Sequence, residues 1–130
     1  MKKRKSTALV ISRVFQSLLY IIAGLNHFLS PEMYYKIIPP FLNQYNFFIN
    51  IVSGGAEMIL GSMLLLDKTR KWACIGIIIL LIAVFPANIY LALEMGKPLN
   101  TSPWVAWLRL PLQFLLIYWA YTHLKKDSNE

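Results

Sequence analysis

The side chains in this sequence that could do chemistry are few, and they interrupt stretches that are otherwise apolar. Glu57 is the one acid well inside such a stretch, in FFINIVSGGAEMILGSMLLL; Arg109 lies in WVAWLRLPLQFLLIYWA, Asn88 in ACIGIIILLIAVFPANIYLAL, and His27 near the end of VFQSLLYIIAGLNHF. An ionised group at the centre of a bilayer costs at least ~2.5–3.5 kcal/mol, so Glu57 and Arg109 each require a partner. The simplest partner for each is the other. A bidentate Arg109–Glu57 pair flanked by His27, Asn88 and Gln113 is therefore expected.

Burial beside charges can bring the proton affinity of a histidine or a carboxylate toward neutrality, so His27 and Glu57 are the candidates for proton transfer. His27, Asn88 and Gln113 could hydrogen-bond a ligand, with Glu57 and Arg109 setting the charge of its pocket. Tyr20, Phe85 and Trp107 would pack around it, because ligand sites are mostly apolar with a few polar fixers. The competing reading of the same residues is polar glue that locks helices together. A metal centre is not expected: His27, Glu57 and Asn88 make a poor ligand set, and His123 belongs to the opposite end of its helix. Cys74 is the sole cysteine, which excludes an intramolecular disulfide, a CxxC redox pair and a cysteine cluster. Arg13 is expected to snorkel, and Tyr34 and Tyr35 to anchor at an interface.

The elements that must position these residues are helices in a membrane. Of 130 residues, 57% are hydrophobic, and the mean hydropathy is +0.50, too apolar for a soluble domain of this size. Ala73–Leu93 runs for 21 residues without a charge, and at ~1.5 Å per residue such a run matches the ~30 Å hydrocarbon core. The expected fold is an all-α integral membrane protein, one domain over 1–130, with four spans at about 8–29, 45–66, 72–94 and 104–124. In the first, Arg13, Gln16, Tyr20, Gly24 and His27 recur at steps of three or four and share one face. In the second, Gly54, Glu57 and Gly61 do the same, which turns Glu57 into the bundle. In the third, Pro86 deprives the Ile82 carbonyl of its helical donor. Between the first two spans, PEMYYKIIPPFLN suits a short amphipathic segment at the outer interface. The short loop Asp67–Lys71 makes the second and third spans a helical hairpin.

Charge placement sets the orientation. The formal charge of +7 sits at the ends of apolar segments, not in a patch interleaved with aromatics, which argues against nucleic acid. Lys2, Lys3, Arg4 and Lys5 in the head, Lys68, Arg70 and Lys71 in the second loop, and Lys125 and Lys126 in the tail oppose only Lys36 and Lys97. Both termini are therefore expected in the cytoplasm, in a multi-pass protein of the inner membrane. The run from Val14 to Pro31 is long for a signal peptide and lacks a small-x-small cleavage site, so a retained first helix is expected. No internal repeat occurs.

The segments AGLNHFLSPEMYYKIIPP, SGGAEMILGSMLLL, RKWACIGIIILLIAVFPANIYLAL and WVAWLRLPLQFLLIYWA resemble, in order and type, the small four-helix DoxX-like membrane proteins over residues 13–122. That family is named after a subunit of a thiosulfate:quinone oxidoreductase, and relatives are linked to quinone resistance and redox complexes. The resemblance implies the four-helix fold, a quinone as ligand and a redox or detoxification partner subunit. The paired cysteines of some redox-associated relatives are missing here. No flavin, haem or iron–sulfur motif is present either, so electrons would come from elsewhere. The sequence keeps two further classes open: export of a small lipophilic compound, and a scaffold or assembly factor with no ligand.

Overall fold

The computed structural model describes residues 7–128; the basic head used in the orientation count lies outside them. The described chain is helical throughout its regular structure: α1 (Thr7–Leu29), α2 (Pro31–Tyr35), α3 (Asn46–Met63), α4 (Arg70–Leu93) and α5 (Pro103–Ser128), with 3₁₀ turns at Pro40–Tyr45 and Lys97–Leu99. The four long helices fall where the apolar runs predict them. The expected amphipathic segment is α2 followed by the first 3₁₀ turn, started by Pro31 and redirected at Pro39–Pro40, whose fixed φ suits a helix start and whose missing N–H ends one.

The second long helix stops at Met63, three residues before the sequence suggests, because its terminal carbonyls find other donors. Arg70 Nε donates to the Leu64 carbonyl at 2.9 Å, Thr69 Oγ1 donates to that of Met63 at 2.8 Å, and Arg70 Nη1 holds Asp67 at 2.7 Å. A helix end leaves its last carbonyls without intrahelical partners, and here the loop itself satisfies them. At the other end of α4, Gly96 takes φ of 81°, and its N–H closes on the Leu91 carbonyl at 3.0 Å, a glycine-terminated helix end.

Packing is by pairs. α1 lies most extensively against α3 and α4 against α5, while α3 and α4, joined by the short loop, touch less. The α1–α3 approach depends on two glycines: a Cβ built on Gly54 would lie 2.7 Å from His27 Cβ, and one on Gly24 would lie 2.6 Å from the Gly54 carbonyl oxygen. No other residue permits that backbone distance. Two apolar clusters hold the ends, one built on Leu64, Ala73, Cys74, Ile77 and Leu81 with Tyr20 and Ala120, the other on Ile37, Leu91 and Ala106.

The distribution of polarity is the reverse of a soluble bundle. Phe15, Phe47, Phe48 and Ile79 are each more than 60% exposed, whereas Gln16 and Ser17 are fully buried. The buried residues of α1 are Arg13, Gln16, Ser17, Tyr20, Gly24 and His27, so the polar stripe is its inward face. Arg13 corrects one expectation: it is 2% exposed and turned into the bundle, not extended toward an interface. Its place on the stripe, one turn before Gln16, puts its stem on the inner side. α1 and α4 are each long and apolar enough to cross a membrane.

Candidate functional site

A cavity of about 770 Å³ lies between the helix pairs α1–α3 and α4–α5, roofed at one end by Tyr34, Ile37, Ile38 and Pro39 from the segment around α2. Its walls are mostly aliphatic: Leu80, Leu81, Ala83 and Val84 from α4 face Leu19 and Ala23 from α1. The polar residues on it are His27, Asn50, Ser53, Glu57, Asn88, Arg109 and Gln113, together with Tyr20 and Tyr34. The volume lies within the range of sites for small organic ligands.

On the α1–α3 side, the close approach at Gly54 brings His27 onto α3 one turn away. Asn50 clamps it twice: Asn50 Nδ2 donates to the His27 carbonyl at 2.8 Å, and His27 Nδ1 contacts Asn50 Oδ1 at 2.7 Å. The first bond orients the amide, so Oδ1 must accept and Nδ1 must carry the hydrogen. His27 Nε2 lies 3.4 Å from Glu57 Oε2. Two lone pairs would repel at that distance. The contact is attractive only when one proton resides on the pair, as imidazolium with carboxylate or as imidazole with carboxylic acid. In either form the pair is neutral as a unit.

Tyr34 stacks on the His27 ring, centroids 3.7 Å apart and planes 18° from parallel, and its hydroxyl accepts a hydrogen bond from Asn26 Nδ2 at 2.8 Å. Burial raises the Tyr34 phenol above its ordinary range, more than the Asn26 bond and the positive field of Arg109 lower it, and the Glu57 charge adds to the rise. The phenol therefore keeps its proton and has that proton to donate.

On the α4–α5 side, the hydrogen bonds run in one direction. Arg109 Nε donates to Asn88 Oδ1 at 3.1 Å, Asn88 Nδ2 donates to Gln113 Oε1 at 2.5 Å, and Gln113 Nε2 donates to the Leu81 carbonyl. Gln113 thus serves the carbonyl one residue before Ile82, in the turn that Pro86 loosens. In both amides the oxygen and the nitrogen each have a protein partner. The terminal nitrogens of Arg109 have no hydrogen-bond partner among the described residues.

The expected Arg109–Glu57 pair does not form. The carboxylate faces His27 on one helix pair, and the guanidinium hangs from Asn88 on the other. Tyr34 feels the fields of both. Of the other expected ligand-binding residues, Tyr20 lines the cavity. Phe85 does not, and packs on Phe114 with ring centroids 5.4 Å apart; Trp107 lies on the outer surface, about half exposed. At these positions the helical phase turns the ring off the inner face. Asn50 was missed, although its place on the 50–54–57–61 stripe of α3 is the signal that would have found it. For the stacking of Tyr34 and its tie to Asn26 the sequence carries no signal, since they depend on how the segment after α1 folds back.

No group of three metal-binding side chains occurs among the described residues. At the far end from the cavity, His123 bonds Ser12 Oγ at 3.1 Å, and Ser12 also accepts from Trp119 Nε1 at 2.8 Å, which ties α1 to α5. No curated protein and no solved structure matches this chain. A protein-family model does, over residues 16–124, and these contain every polar residue of the cavity. That match spans most of the 130 residues, and the chain belongs to the DUF8561 family, a domain of unknown function.

Proposed function

We propose that this chain is a four-span membrane bundle with both termini in the cytoplasm, whose cavity binds a small lipophilic molecule by its polar head. The observation that carries the reading is the cavity itself: an aliphatic volume of about 770 Å³ with charged and amide groups on both facing helix pairs. Large apolar side chains turned outward and polar ones turned inward suit a lipid surround for all four long helices. The excess of basic residues on one side supports the orientation. A quinone-type ring is the ligand class that the DoxX-like resemblance suggests, and a redox or detoxification partner would follow from it. Proton transfer would fall to His27 and Glu57, which lie 3.4 Å apart on the cavity wall. Export of a lipophilic compound is the second reading, favoured by the buried polar residues Arg13 and Gln16, which continue the face of Tyr20 along α1 beyond the cavity.

The test is the thermal stability of the purified protein with and without menaquinone and ubiquinone analogues, for wild type, Glu57→Gln and Arg109→Met. A ligand at 100 times its dissociation constant, bound only to the folded state, adds ~2.7 kcal/mol. Stabilisation of wild type that is lost in either folded variant supports the site. No shift with any analogue, and variants that simply melt earlier, would leave the polar residues as helix-locking glue.

A further inference from the structure

A count of the charges on the cavity wall narrows the ligand. The ionisable groups facing it, from every helix packed around it, are His27, Glu57, Arg109 and the phenols of Tyr20 and Tyr34. His27 and Glu57 lie 3.4 Å apart and cancel as an imidazolium–carboxylate pair. The phenols are neutral. Arg109 remains as one positive charge held by a neutral amide, Asn88, through Nε alone. Its two terminal nitrogens, the fork that takes a carboxylate or phosphate in two parallel bonds, have no protein partner among the described residues. The amide nitrogens of the wall each have a protein acceptor: Asn50 on the His27 carbonyl, Asn88 on Gln113, and Gln113 on the Leu81 carbonyl. An unpaired cation in a mostly aliphatic cavity is costly, and the one acid of the described wall, Glu57, faces His27 instead.

We propose that the cavity takes an amphiphile with an anionic head, a carboxylate or a phosphate, seated on Arg109 with its hydrocarbon tail along Leu80, Val84, Leu112 and Leu116. The Tyr34 hydroxyl, its own oxygen already accepting from Asn26, is placed to donate to the same head. This rests on the ligand-site reading above and replaces a neutral ring by an acid. No bond is made or broken; the inference concerns recognition alone.

The experiment is competition at pH 8 against a photoactivatable diazirine analogue of oleate, with the protein in phosphatidylcholine nanodiscs. The competitors are oleate, oleoyl-lysophosphatidate, oleyl alcohol, oleylamine and decylubiquinone. Oleate or lysophosphatidate should halve labelling at a concentration at least tenfold below that needed for the alcohol, the amine or the quinone. Strong competition by lysophosphatidate assigns a phospholipid head, and competition by oleate alone a free acid. In Arg109→Gln the tenfold preference should vanish, and in Arg109→Lys, which keeps the charge without the fork, part of it should return. Should Arg109→Gln not fold, the order of competitors on wild type still decides. Competition by alcohol or quinone equal to that of oleate overturns the anionic head and leaves the cavity site standing. Absence of specific labelling removes the site and the head together.

Discussion

Two adjacent glycines of α3 provide a matched pair. Alanine at either position gains about 0.5–1 kcal/mol of helix propensity over glycine. At Gly55 a Cβ would meet nothing within 4 Å, so Gly55→Ala should be stabilising by that amount. At Gly54 the same atom would lie 2.7 Å from His27 Cβ and 3.0 Å from the Gly24 carbonyl oxygen. Carbon atoms rest at about 3.5–4.0 Å, so α1 and α3 must part by roughly 1 Å. Neither neighbour is the end of a flexible side chain, and overpacking of this kind costs about 1–3 kcal/mol. The propensity gain cancels between the variants, so Gly54→Ala should be less stable than Gly55→Ala by about 1–3 kcal/mol. Reversible unfolding in mixed detergent micelles, titrated with a denaturing detergent, measures the difference. Equal stability of the two variants would refute the close α1–α3 approach, and with it the geometry that presses His27 against Asn50 and Glu57.

Asn50→Leu removes both bonds of the clamp and strands the His27 ring N–H and carbonyl, which should cost about 1–3 kcal/mol in the same assay. Arg70→Met leaves the Leu64 carbonyl and Asp67 without their donor; hydrogen exchange should then rise selectively at the α3–α4 loop and the adjoining turns. Gln113→Leu breaks the chain from Arg109 through Asn88 to Leu81, and should destabilise more than Leu115→Ala at an exposed position of the same helix, as read by thermal melting. The Tyr34 phenol titrates higher in the folded protein than its ordinary 10.0, so the unfolded chain loses that proton first. Its contribution is complete below that pH and is lost as pH rises through the folded value, so stability should fall more steeply above about pH 10 in wild type than in Tyr34→Phe.

Much of the fold is legible in the chain because long uncharged runs and helical periodicity leave few arrangements open. Uncharged runs of fixed length place the four long helices, and steps of three and four along α1 and α3 pick out Arg13, Gln16, Tyr20, His27, Gly54 and Gly61 as the inner faces, where the structure puts them. The cost of burying polar groups among apolar ones predicts that Glu57, Asn88, Arg109 and Gln113 gather, and they line one cavity. What it cannot carry is rotation and depth to better than about a turn. The cost of burying a charge says that Glu57 and Arg109 need partners, yet not which ones. The choice was made by tertiary structure, in which Gly24 and Gly54 let α1 settle closely on α3 and deliver His27 to Glu57, while Gln113 joins α4 to α5 and Arg109 is left with Asn88. The stacking of Tyr34 on His27 belongs to the same class, because it depends on the path of a connecting segment whose periodicity is too short to read. Residue type and spacing determined which side chains would be inside; the separation of the two helix pairs decided that the two charges face a shared cavity instead of each other.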